Sequence, residues 1–281
     1  MAIATTKTSA DAWSPDITAV APTDAVPDAL ILHTSTVAGE IEGDAPLVRV
    51  QYVDDADASF TAEGELITED DPGLSERVVP TGKVAQLIKL SREQWAQPNA
   101  NELLSASVAR AVTKAGNKAY LDQPVPTAPA VTPPAGLLHI PGIINGGAVD
   151  EDLDGLVDLL ALLATNDSTP SHIVLSPTAW ASLRKFKTGA DYNTSLLGTG
   201  ATDAQRFLLD LPVIVTPAAP ADTGLVIDNT AVVSAVGPVM VATSEHAFFG
   251  ADSIAVRCTW RFGANVVKPN RIGKFTVTAP E

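Results

Sequence analysis

The sequence predicts an α+β protein, with strands early and late in the chain and helices between them. Three observations carry that expectation. A strand-like run leads into a long polar, acidic stretch; a helical repeat of more than twenty residues follows; and one sharply alternating strand lies near the end.

Taken in order, residues 1–45 are rich in Ala, Thr, Asp and Pro without a sustained period, and read as an extended arm that a neighbour would have to hold. PLVRVQYV (46–53) alternates Leu47, Arg49 and Gln51 against Val48, Val50 and Tyr52, as a strand does. The acidic stretch ADASFTAEGELITEDDPGLSERV follows, and VAQLIKLS (84–91) reads as the return strand of a long protruding hairpin. Connections of that length inside compact domains are usually functional or gripped by a partner. The expected contact residues are Phe60, Glu63, Glu65, Leu66, Ile67, Glu69, Asp70, Asp71, Leu74 and Glu76.

The helix that follows is expected from a cap at Asn99 through Tyr120. Asn99 and Glu102 are spaced as a capping box, and Leu104, Val108, Val112, Ala115 and Ala119 recur on one face. Pro124 stops it, and PVPTAPAVTPPAG is a connector. A helix beginning at Asp150 has an acidic first turn, favourable for its dipole, and continues as LVDLLALLA, apolar almost all round and therefore expected to be buried. HIVL reads as a strand. Ser176 caps a helix with Pro177 at its first position, carrying Trp180, Leu183 and Phe186 inward. That helix ends in Arg184, Lys185 and Lys187, which suit a helix C-terminus and offer a second contact site for an acidic neighbour. PVIVT, LVID and VMVAT are short strands. In SIAVRCTWRF, Ile254, Val256, Cys258, Trp260 and Phe262 form the core face, with Ser253, Arg257, Thr259 and Arg261 opposite. VVK and KFTVT close the chain as two more strands.

The 281 residues are 46% hydrophobic and 18% charged, a globular balance, and the net charge of −15 argues against nucleic-acid binding, which needs clustered Lys and Arg. An acidic wall is compatible with enclosing DNA, since it repels phosphates and lets them slide. No apolar run reaches the roughly 20 residues of a membrane helix, and no secretory leader is visible at the N-terminus. One cysteine, Cys258, excludes an intrachain disulfide and fits a reducing cytosol.

Catalytic motifs are sparse. Asp150-x-Asp152-x-Asp154-Gly155 matches the first half of an EF-hand loop, but its twelfth position is Ala161, so an acidic helix start is the favoured reading over a calcium-dependent enzyme. There is no nucleophile elbow, dinucleotide fingerprint or phosphate-binding lysine loop. His33, His139, His172 and His246 are scattered, and Cys258 on a core face is a small hydrophobe. The expectation is a structural protein with no cofactor and no metal.

The order of elements supplies a resemblance. KVAQLIKLSREQW with NELLSASVARAVTKAGNKAYLD, then HIVLSPTAWASLRKFKTGADY, then LPVIVTPAAP, LVIDNT and AVRCTWRFGANVVKP, resemble the tailed-bacteriophage major capsid family with the Hong Kong 97-like fold, over roughly residues 40–278. The resemblance implies an N-terminal arm (1–45), an extended loop (46–90), a peripheral domain with spine helix and connector (91–135), an axial domain (136–236) and return strands (237–281). It implies pentamers and hexamers closing an icosahedral head around double-stranded DNA, assembled in the host cytoplasm. Portal and separate scaffolding or cement proteins would be partners. An encapsulin-type compartment shares the fold and is the alternative. The founding member joins a loop Lys to a peripheral Asn; here Asn265 and Asn270 are available, but Asp54 to Val79 contains no Lys and Lys83 lies only near the loop base, so a noncovalent shell is expected.

Overall fold

A computed structural model describes residues 17–41, 43–53, 60–66, 74–97, 100–187, 195–197 and 206–279. The chain begins with β1 (Ile17–Val20), α1 (Pro22–Ala25), α2 (Leu30–Thr34) and β2 (Thr36–Glu40), then β3 (Leu47–Val53), β4 (Leu74–Pro80) and β5 (Gly82–Ser91). A short α3 (Arg92–Trp95) precedes the long α4 (Ala100–Asp122). Next come β6 (Ile144–Val149), α5 (Asp154–Ala164), β7 (His172–Leu175), α6 (Pro177–Leu183), β8 (Phe207–Leu208), β9 (Leu211–Val215) and β10 (Thr223–Ile227). Two long strands, β11 (Val232–Phe248) and β12 (Ser253–Val266), and a final β13 (Gly273–Val277) complete the chain.

Three sheets result. The first runs β1-β11-β12-β5, with β2 added in parallel to the start of β11; the second runs β6-β13-β10-β7-β9-β8; the third is the β3–β4 hairpin. The α+β class expected from the sequence is therefore observed.

One core lies under α4. Leu104, Val108, Val112 and Tyr120 meet Cys258, Trp260 and Phe262 of β12 and Val239 of β11. Ala115 does not turn inward as its spacing suggested; it is exposed, and Gly116 is buried instead. A Cβ at Gly116 would sit 2.6 Å from the Trp260 ring, so only glycine lets the indole approach the helix so closely. The expected cap at Asn99 lies outside the described residues. A complete capping box occurs instead at α3, where the Gln94 amide donates to Ser91 Oγ and the Ser91 amide donates to Gln94 Oε1.

The second core joins Leu156, Leu159 and Leu163 of α5 to Ile173, Leu175, Leu183, Phe186, Val226 and Phe275. Here α5 starts at Asp154, four residues later than the acidic run suggested, because Asp150–Leu153 form a turn with Glu151 in the left-handed region. Nor is α5 buried all round: Val157 and Leu162 are about half exposed (47% and 49%). By contrast, α6 matches the sequence closely, with Ser176 Oγ accepting from the Ala179 amide and Leu183 and Phe186 buried, although Trp180 is only partly so.

Three expectations are corrected. Val26, Ala29, Leu30, Ile31 and Thr34 are fully buried, so residues 17–40 pack into the molecule and are not an extended arm. VVK is not a separate strand, since β12 runs through to Val266. Ser253, on the same side of β12 as Arg257, is buried and not wet.

Candidate assembly surfaces

The hairpin is built differently from the sequence expectation. β3 pairs with β4, from Leu47 opposite Pro80 to Val53 opposite Leu74, and VAQLIKLS is not its return strand. That segment, β5, pairs along its length with β12, from Ser91 opposite Ser253 to Gly82 opposite Phe262. Both segments alternate suitably, and alternation says which face is buried but not which strand is the neighbour. Leu74 and Glu76, expected on the acidic loop, therefore lie in β4.

The hairpin root is tightly organised. Val50 and Val79 pack on Ile41, Val233 and Ala235. Thr81, fully buried, donates its amide to Pro46 O (2.9 Å) and its hydroxyl to Ala45 O (2.6 Å), while Arg261 donates to Thr81 Oγ1 at 3.0 Å. Arg261 also pairs with Asp44 (3.2 Å), which Lys83 approaches at 3.6 Å. Lys83 and then Arg261 hold the Asp44 carboxyl below its ordinary pKa. Asn265 donates from its side chain to Val78 O at 2.9 Å, lashing β4 to the end of β12.

Beyond this root the surface changes character. Phe60 (109% exposed) and Leu66 (96%) project fully into solvent beside exposed Glu63 and Glu65, and Leu47, Val53 and Val78 are exposed on the strands. Large apolar groups grouped in this way mark an interaction surface more often than chance placement does. The Arg49–Glu76 pair across the strands (3.3 Å) is well exposed and contributes about 0–1 kcal/mol. Ile67, Glu69, Asp70 and Asp71 lie outside the described residues.

The basic cluster sits after α6 and not in its last turn. Arg184 is the C-cap, and Arg184, Lys185 and Lys187 are exposed around buried Phe186. Ser195 donates to Arg184 O and Leu196 donates its amide to Phe186 O, so the segment is stitched locally. The hairpin and this cluster belong to different parts of the fold. A third surface escaped the sequence reading: the face of the first sheet opposite α4, where Lys83, Ala85, Leu87, Lys89 and Arg257 are all exposed.

In the half EF-hand, Asp152 Oδ1 accepts from the Asp154 amide (3.1 Å), which occupies that carboxylate in starting α5. No group of three or more potential metal ligands occurs among the described residues.

The sequence matches the Phage capsid family over residues 35–277. No curated protein matches it significantly. Among solved structures it is similar to the capsid of a native GTA particle, with 16% identity and a TM-score of 0.66, covering 99% of this chain and 96% of that one. A chain from Gordonia phage Cozz aligns with 14% identity and a TM-score of 0.66, over 89% and 87% of the two chains. One from Microbacterium phage Oxtober96 gives 13% identity and a TM-score of 0.63, over 98% and 96%. At such identities the likeness is one of fold. The family match, which spans most of the sequence, goes further: this chain belongs to the phage capsid family, as a major capsid protein of the tailed-phage kind and a structural component of the virion shell.

Proposed function

We propose that the chain forms an icosahedral head of the Hong Kong 97-like design, as pentamers and hexamers around double-stranded DNA. The observation that carries this reading is the β3–β4 hairpin, which leaves a buried root and presents Phe60 and Leu66 to solvent at full exposure. A lone monomer gains nothing from such a surface, whereas a lattice neighbour would bury it. In this reading α4 is the spine helix, the first sheet and α4 form the peripheral domain, and the second sheet with α5 and α6 forms the axial domain. Portal and separate scaffolding or cement proteins are the expected partners, with assembly in the host cytoplasm.

Negative-stain microscopy of the purified protein tests this reading. Closed icosahedral shells are expected, and a uniformly monomeric protein would overturn it. Nuclease-resistant DNA in particles made during infection separates a phage head from an enzyme-filled compartment.

The shell is held noncovalently. No Lys lies between Asp54 and Val79, the Lys83 ammonium is engaged by Asp44, and Asn265 is committed to Val78. Boiling shells in detergent should release a single 29.1 kDa species; a ladder of multimers would contradict this.

A further inference from the structure

We infer that a basic cleft along the flank of α4 binds the phosphate backbone of DNA. The inference rests on the shell-subunit reading, which puts double-stranded DNA beside every copy of the chain.

Two hollows of about 710 and 600 Å³ share Asp28, Thr113, Asn117 and Thr216, so they form one continuous trough. One wall is α4, another is β9 with the turn after it, and the segment leading into α2 supplies the rest. Asn117 fixes that arrangement: its Oδ1 accepts from the Leu30 amide at 2.8 Å and its Nδ2 donates to Asp28 O at 3.4 Å.

Positive charge gathers here against the trend of the chain. Arg110, Lys114 and Arg206 line the trough together with His33 and His172, and Asp28 is the one carboxylate among the described lining residues. Three of the chain's 18 Lys and Arg and two of its four His thus meet on a protein of net charge −15. Arg110, Lys114 and Arg206 are exposed and have no ion-pair partner among the described residues. Arg110 and Lys114 stand about one turn apart, roughly 6 Å along the helix axis. Just before β8, the Arg206 backbone is held in place because its carbonyl accepts from the Val213 amide at 2.7 Å.

Net charge sums the whole surface, whereas phosphate contacts are local. The acidic remainder of the surface repels DNA, which leaves this trough as the point of contact. Guanidinium, ammonium and Thr hydroxyl groups contact phosphate oxygens without reading bases, so the binding is independent of sequence.

The histidines add a dependence on pH. His33 Nε2 donates to Pro27 O at 2.8 Å. Ser171 Oγ donates its proton to Ile227 O, so His172 Nδ1 donates to Ser171 Oγ at 3.1 Å. Each neutral ring therefore has its one N–H engaged, and its other nitrogen offers an anion nothing until the ring takes up a proton. Burial, and then His33, hold His172 below its ordinary pKa of 6.5. Of the charged groups around the rings, Arg206 opposes protonation and Asp28 favours it, with Arg110 and Lys114 farther along the trough. A bound phosphate favours both imidazolium ions, so affinity should rise as pH falls.

The test is fluorescence anisotropy of a short labelled DNA duplex with the unassembled full-length protein. Three permanent cations predict that log Kobs falls against log[NaCl] with a slope of about −2.7 near neutral pH. Arg110→Ala with Lys114→Ala should flatten that slope by about two and weaken binding at least about tenfold. Alanine suits exposed helical positions, so the fold should survive. If that variant melts early, Arg206→Ala replaces it and should flatten the slope by about one. Acidification from about pH 7.5 to about 5.5 should tighten wild-type binding, and His33→Gln with His172→Gln should remove most of that gain. Arg184→Ala with Lys185→Ala, away from the trough, should bind within about twofold of wild type. Unlabelled duplex should displace the probe at a lower phosphate concentration than inorganic phosphate does. Equal potency per phosphate would assign the trough to free phosphate, and stronger displacement by polyglutamate would assign it to an acidic protein; either overturns the proposal. So would an equal loss in the Arg184 variant, or no binding by folded wild type, and both leave the shell reading standing. Monomers alone under the microscope would overturn the shell reading beneath it.

Discussion

The Tyr120 hydroxyl meets the Thr34 hydroxyl at 3.0 Å inside the protein, tying the N-terminal segment to the last turn of the long helix. Thr34 already donates to Leu30 O (2.8 Å), so Tyr120 is the donor and Thr34 the acceptor. A second tie lies one turn earlier, where Asn117 Oδ1 accepts from the Leu30 amide at 2.8 Å. Burial pushes the Tyr120 hydroxyl well above its ordinary pKa. Tyr120→Phe should cost about 1 kcal/mol in denaturant unfolding. One of the three tyrosines should also resist ionisation in an alkaline absorbance titration until the protein unfolds.

Gly263 is a steric requirement of the hairpin root. A Cβ there would collide with the Pro80 carbonyl, which is backbone and cannot swing away. Gly263→Ala should destabilise by about 1–3 kcal/mol. Gly250→Ala, whose Cβ meets open space, should not, and calorimetric melting of the two variants makes the comparison.

Asp44 should give the root a small dependence on pH. Its folded pKa lies below the ordinary 3.8, so its contribution is complete above that value and is lost as pH falls through the lower folded one. The melting-temperature difference between wild type and Asp44→Asn should therefore be constant at neutral pH and shrink toward zero in acid below 3.8. A difference that persists undiminished there would contradict the role given to Lys83 and Arg261.

Cys258 should be chemically quiet. It is buried beneath α4, and burial raises its thiol pKa, so little thiolate is present at neutral pH. Labelling by an aromatic disulfide reagent should be slow in the native protein and accelerate with denaturant in step with unfolding. Rapid stoichiometric labelling of the native chain would count against this packing.

Periodicity alone was enough to find α4, α6 and β12, because each carries its face pattern locally: Val108 with Val112, a Ser-Pro start, and Cys258, Trp260 and Phe262 in alternation. It also found β3. It missed β6, whose INGGAV carries two glycines and no clear alternation, and it read the buried turn around Leu30 and Ile31 as arm. Local pattern reports which side of a segment is apolar. It carries no information about which distant segment covers that side. Only the tertiary structure could decide that β4, not β5, returns beside β3, that Ala115 yields its place to Gly116 under Trp260, and that Lys83, Lys89, Arg257 and Arg261, up to 178 positions apart in the numbering, share one open face. Strand pairing is a nonlocal choice, settled by backbone hydrogen bonds and side-chain packing that exist only once the chain has closed on itself.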